Sequence, residues 1–194
     1  MYRAVVIGTS YGGLEALNII LPELKKDFPV PVVIVLHIGE HSNDIFIRHL
    51  NAICELEVKE AEANEPILPG FVYFAPPGYH LQIEDDYSFS LSAEKKLNFS
   101  RPSIDILFET AAWAYKNQVI GIVLTGANSD GTNGLKTIKQ FGGKTIIQNP
   151  CKATSPVMPR FALKAVQPDL KLNLEEMAEC LYQLVLPNKP PIRN

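Results

Sequence analysis

Ala4-Val5-Val6-Ile7-Gly8-Thr9-Ser10-Tyr11-Gly12-Gly13 leads straight into Leu14–Leu24, LEALNIILPEL. Val5, Val6 and Ile7 are β-branched and consecutive, a pattern that suits a strand buried on both faces of a parallel sheet. The glycine-bearing turn then gives way to the apolar spacing of a helix. The alternation continues: Val30–Leu36 (VPVVIVL), Val72–Ala75 (VYFA), Val119–Thr125 (VIGIVLT) and Thr145–Gln148 (TIIQ) read as strands. Ile45–Leu50, Ile104–Tyr115, Gly134–Phe141 and Leu174–Leu186 have helical spacing. In the second of these, Ile104, Leu107, Phe108, Ala111, Ala112 and Tyr115 share one face, with Pro102 and a capping Ser103 or Ser100 at its start. Leu81–Phe99 alternates polar and apolar residues around Asp85–Asp86, which predicts a hairpin on the sheet's edge. The expected fold is α/β: a doubly wound, mostly parallel sheet with helices on both faces and an antiparallel edge hairpin.

The chain has 194 residues, 46% of them hydrophobic and 20% charged, with a formal net charge of −3. That length corresponds to roughly one domain able to bury its own core, placed here at residues 1–187 with a tail at 188–194. Mild acidity argues against a nucleic-acid footprint, which would be basic and clustered. Cys54, Cys151 and Cys180 are odd in number and far apart, with no CxxC pair or His/Cys cluster, so neither zinc nor a disulfide framework is expected. The N-terminus lacks the pattern of a signal peptide, and no apolar run approaches a membrane span. A cytoplasmic location, no membrane insertion and no cofactor are the expectations.

In an open parallel sheet, ligands sit beyond the carboxyl ends of the strands. Strand one ends in Gly8-Thr9-Ser10-Tyr11-Gly12, strand two in His37, and Val119–Thr125 in Gly126-Ala127-Asn128-Ser129-Asp130-Gly131. A hydroxyl, an imidazole and a carboxylate are thus brought to one edge. Gly8–Gly12 fits G-x-S-x-G, a strand-to-helix turn that exposes a nucleophilic serine. The N–H of Tyr11, which follows Ser10, is placed to face an oxyanion at a helix N-terminus. His37 would serve as base and Asp130 would hold its other nitrogen. His41, His49 and His80 compete for the base role; His80 is the strongest rival, near a strand end after APPG. Read singly, His37 fits a packed histidine and Asp130 a turn residue better than catalytic roles; the joint pattern turns the balance. The glycine spacing also brushes a P-loop, but Leu14 stands where the lysine must be. It brushes a dinucleotide fingerprint too, but Ser10 replaces the middle glycine and no acid ends strand two. The order Ser10, His37, Asp130 differs from that of lipases and esterases of the α/β-hydrolase type.

IGTSYGGLEAL, VVIVLHI, PGFVYFAPPGYHL, RPSIDILFETAA, VLTGANSDGTNGL and FGGKTIIQNP…MP together resemble the catalytic domain of CheB-type chemotaxis protein-glutamate methylesterases, in order from about Ala4 to Ala165. The resemblance implies a serine hydrolase with Ser10, His37 and Asp130 as its triad. It also implies oxyanion donors at the N–H groups of Tyr11 and Ala127, and Arg101 lining the substrate groove. Two departures stand out: Tyr11 where the family commonly has threonine, and Ala127-Asn128 where it commonly has Met-Gly. The substrates implied are glutamyl methyl esters, with glutamine side chains for deamidation as a second activity, on chemoreceptor cytoplasmic helices. The family's usual N-terminal receiver domain has no counterpart ahead of Ala4, so control by a separate phosphorylated receiver or signalling protein is expected. Two other readings stay open: a member that docks a receptor or signalling partner without turnover, and an esterase of a non-chemotaxis signalling system.

Overall fold

The computed structural model of the chain describes residues 1–37, 43–97 and 100–186. His41, Phe99, Pro187 and the tail 188–194 lie outside the described residues. Fifteen elements follow in order. They are β1 (Ala4–Thr9), α1 (Gly13–Ile20), β2 (Val32–Leu36), α2 (Asn43–Ile53), β3 (Glu57–Glu60), β4 (Phe71–Phe74), β5 (His80–Ile83), β6 (Phe89–Ser92), α3 (Ile104–Tyr115), β7 (Val119–Val123), α4 (Thr132–Gln140), β8 (Lys144–Gln148), α5 (Val157–Val166), β9 (Leu170–Leu172) and α6 (Leu174–Val185).

Seven strands form one sheet in the order β3-β4-β2-β1-β7-β8-β9, and every neighbouring pair is parallel. All six residues of β1 are buried, as the apolar run requires. Because side chains alternate across a strand, Val5 and Ile7 enter one core with Leu17, Leu50 and Leu181, from α1, α2 and α6. Ala4 and Val6 enter a second core with Leu107, Phe108, Ile138 and Ala162, from α3, α4 and α5. The sheet is therefore sandwiched. The chain starts in its middle, fills one side through β2, β4 and β3, and returns to the other side of β1 with β7. That reversal, between β1 and β7, is the switch point at which such sheets hold ligands.

Several boundaries differ from the sequence expectation. The second strand begins at Val32, because Pro31 has no N–H to donate and serves only as acceptor for the Val5 N–H. Helix α1 ends at Ile20 and gives way to a 3-10 turn at Leu21–Glu23, because a proline inside it would lose its i−4 bond. The antiparallel hairpin forms as β5 and β6, but as a two-stranded sheet separate from the large one, with Phe89 also bonded through its main chain to Asn64 and Glu65. Its Leu81, Ile83 and Phe89 pack into the core beside α3, and the Ile83 N–H donates to Thr110 Oγ1 at 3.2 Å. The edge strands β3 (EVKE) and β9 (LKL) and the helix α5 had no counterpart in the sequence reading.

Candidate active site

Ser10 lies one residue past β1, in a turn fixed through the main chain. Its N–H donates to Thr125 O at 3.0 Å and its carbonyl accepts the Gly13 N–H at 2.8 Å. Gly12 has φ +80° and sits on Thr154, whose Cβ would be 2.6 Å from any Cβ added there. Only glycine fits both constraints. The carbonyl of Tyr11 accepts the Thr125 hydroxyl at 2.9 Å, which leaves its side chain 67% exposed at the lip. Thr125 in turn accepts the Ser155 N–H at 2.8 Å, and the Thr125 N–H donates to Gln148 Oε1 at 2.8 Å. Among the described residues, the N–H groups of Tyr11 and Ala127 have no main-chain acceptor; Tyr11 follows Ser10, and Ala127 follows Gly126, where an added Cβ would lie 3.0 Å from Ser10 Cβ.

His37 ends β2 beside this turn, its N–H bonded to Thr9 O at 3.1 Å. Its Nε2 lies 3.1 Å from Asp130 Oδ2, and its side chain is only 13% exposed. The carboxylate approaches obliquely to the ring N–H: the two are in close contact, not in a straight hydrogen bond. Ring Nδ1 faces the side-chain amide of Asn128 at 3.3 Å. Within the described residues, the bond His37 makes at Nδ1 goes to Asn128 and not to the Ser10 hydroxyl.

Asp130 is fully enclosed and serves as the N-terminal cap of α3. Oδ2 accepts the Ile104 N–H at 2.8 Å; Oδ1 accepts the Asp105 N–H, the Gly131 N–H and the Ser103 hydroxyl, each at 3.0 Å. The expected cap, Ser103, thus spends its hydroxyl on Asp130, and a residue from another segment caps the helix. Burial alone would push the Asp130 carboxyl up. The contact with His37 and the N–H groups of Ile104 and Asp105 outweigh it and hold the carboxyl below its usual range.

His80 is excluded as the base by its surroundings. It is buried, with Nδ1 accepting the Ser103 N–H at 3.2 Å and Nε2 facing Lys95 O at 3.2 Å. Both nitrogens are committed to main chain, so His80 props the residue that touches Asp130. His49 is exposed and pairs with Asn18 Oδ1 at 3.1 Å. Arg101 donates Nη1 to Ala93 O and Glu94 O at 2.7 and 2.8 Å, which ties the exit of the hairpin to the start of α3. Sequence reasoning missed the parts that Ser103, His80 and Asn128 play here, which arise only when distant loops meet.

Behind Asp130, the carboxyl of Asp105 is pushed up to about 6, chiefly by burial and also by the Asp130 charge, against the opposing Gly134 N–H bond. A raised carboxyl makes the folded state bind protons more readily than the unfolded chain. Stability therefore rises as pH falls from about 7 toward the unfolded value of 3.8. Denaturant melts at pH 7 and pH 5 should show a gain of about 1 kcal/mol from this group, the remainder arriving only as pH falls to and below the unfolded value, and Asp105→Asn should flatten it. Equal slopes for the two proteins would contradict the assignment.

A sequence profile described as CheB methylesterase matches residues 5–181. This chain belongs to the CheB methylesterase family. A Leptospira interrogans protein provisionally named protein-glutamate methylesterase/protein-glutamine glutaminase is 50% identical over 183 residues, 94% of this chain and 95% of that one. The protein-glutamate methylesterase/protein-glutamine glutaminase of Thermotoga maritima is 36% identical over 186 residues, and this chain spans about half its length (54%). The crystal structure of the Thermotoga maritima CheB methylesterase catalytic domain superposes with a TM-score of 0.92 at 35% identity, covering 95% of this chain and 99% of that one. The CheB-type reading of the six motifs and the doubly wound fold therefore stand, and the chain is an esterase by family. Among the described residues, no helix is long and apolar enough to cross a membrane.

Proposed function

We propose that this CheB-family chain hydrolyses glutamyl methyl esters on the cytoplasmic helices of chemoreceptors, with Ser10, His37 and Asp130 as its catalytic triad. One observation carries the reading. A buried, ionised carboxylate that caps a helix lies 3.1 Å from the histidine beside the G-x-S-x-G serine, at the switch point of the sheet. Ser10 attacks the ester carbonyl as His37 takes its proton, and the fixed Asp130 charge stabilises the imidazolium. The N–H groups of Tyr11 and Ala127 hold the oxyanion. His37 then protonates the departing methoxide, and methanol leaves an acyl-Ser10. Water, activated by the same ring, frees the glutamate side chain. A glutamine amide passes through the same acyl-enzyme and releases ammonia. In this reading Arg101 shapes the groove by holding the hairpin exit against the start of α3. The partners are methylated receptor helices and a separate phosphorylated receiver or signalling protein, in the cytoplasm.

The test is methanol and ammonia release from methylated and glutamine-bearing receptor cytoplasmic fragments. Release of both by the wild-type chain supports the reading. Binding of the fragment without release of either, at substrate saturation, would make the chain a docking module.

A further inference from the structure

The side-chain amide of Asn128 has one orientation that satisfies its neighbours. Its Oδ1 accepts the Asp130 N–H at 3.0 Å, closing a turn. The end that faces His37 is therefore the NH2 group, with Nδ2 3.3 Å from ring Nδ1. An NH2 group donates and does not accept, so Nδ1 carries the lone pair of a neutral ring. The proton then sits on Nε2, the atom beside Asp130 Oδ2. These partners assign the tautomer. One nitrogen faces the carboxylate, as a triad needs, while the lone pair that would take the serine's proton is already occupied.

We propose that Asn128 is a positioning residue that sets the His37 tautomer and caps its base nitrogen, and that its amide must leave Nδ1 before Ser10 can be deprotonated. The proposal rests on the reading of Ser10 and His37 as nucleophile and base. The competition is local. Ser10 packs against the loop that carries Asn128: a Cβ on Gly126 would lie 3.0 Å from Ser10 Cβ, and the Ser10 N–H is bonded to Thr125 O. The turn that carries Ser10 and the loop that carries Asn128 are thus adjacent, beside the same ring. Asn128 is half-buried between the exposed Ala127 and Ser129, so the amide has room to turn outward. The freed NH2 then needs an acceptor, and the oxygens of an incoming ester supply one. The cap keeps the base disengaged in an empty site.

Asn128→Ser separates the two ends of the side chain. A serine oxygen still accepts the Asp130 N–H but is too short to reach Nδ1. The probe is a fluorophosphonate, which reacts with an activated serine and needs no receptor. Loss of one neutral hydrogen bond predicts labelling of Ser10 faster by about 2- to 12-fold in Asn128→Ser. An unchanged or slower rate overturns the cap. Nitrogen-15 spectra of the neutral His37 ring give the second readout. In the wild type Nδ1 should be the unprotonated nitrogen, and its signal should move in Asn128→Ser. A wild-type ring protonated on Nδ1, or a signal that does not move, overturns the proposal even if the variant folds poorly. If His37→Gln labels as fast as wild type, the base assignment under the proposed function fails, while the spectra still decide the contact.

Discussion

Replacing Ser10 by alanine should lower methanol release from a methylated receptor fragment by on the order of 10⁴-fold or more. The loss is that of the nucleophile alone, because the turn holding Ser10 is built from main chain. Its bonds to Thr125 O and from Gly13 N involve no side-chain atom. Gly12 and Thr154 keep their fit, and the N–H groups of Tyr11 and Ala127 remain in place. Stability should stay within about 0.5 kcal/mol of wild type, the usual range for a change that removes no buried contact. Residual turnover would come from the oxyanion donors and from substrate positioning. Thermal melts with matched turnover assays check both halves. A variant that is folded and still active would place the nucleophile elsewhere.

Asp130→Asn should cost about as much turnover, near 10⁴-fold, for a different reason. The carboxylate accepts four hydrogen bonds on its two oxygens and turns Oδ2, which carries no proton, to the His37 ring. An asparagine has one oxygen. With it on the Ser103, Asp105 and Gly131 side, the NH2 group meets both the Ile104 N–H and His37 Nε2. The ring must then present a lone pair to that NH2 and move its proton to Nδ1, the wrong end for a base. Unlike Ser10→Ala, this variant should also lose stability, by about 1–3 kcal/mol, because a buried N–H of α3 is left unmatched. That loss should itself depend on pH. The folded-state carboxyl of Asp130 is depressed, so its contribution is complete above the unfolded value of 3.8 and disappears as pH falls through the lower folded value. Melts at pH 7 and in strong acid should therefore converge for the two proteins at the acid end. A constant difference across that range would contradict the assignment of Asp130 as an ionised cap.

That Ser10, His37 and Asp130 come to one edge of the sheet was legible in the sequence, because each follows an apolar strand and parallel topology carries strand ends to a common edge. The α/β class was legible for a related reason. A central strand buried on both faces, such as β1 or β7, must be apolar throughout. The edge strands β3 and β9 escaped notice because each has one neighbour and carries charges, Glu57, Lys59 and Glu60 in one and Lys171 in the other. Helix α5 hid behind Pro159, which is tolerated only because it stands in the first turn, where N–H groups have no helical partner. The hairpin was legible as a hairpin but not as a separate sheet, since which surface it covers depends on where α3 lies. The same limit applies within the site. The prop formed by His80 and Ser103, the capping of α3 by Asp130 and the amide on His37 Nδ1 each join segments more than twenty residues apart. No local pattern encodes such meetings.

The most direct test of the triad is to map the adduct formed by a fluorophosphonate on the intact chain by mass spectrometry, in the wild type and in His37→Gln. A single adduct on Ser10, formed far more slowly once His37 is replaced, is the predicted result. An adduct on any other residue, or none from a preparation that still releases methanol, would contradict it.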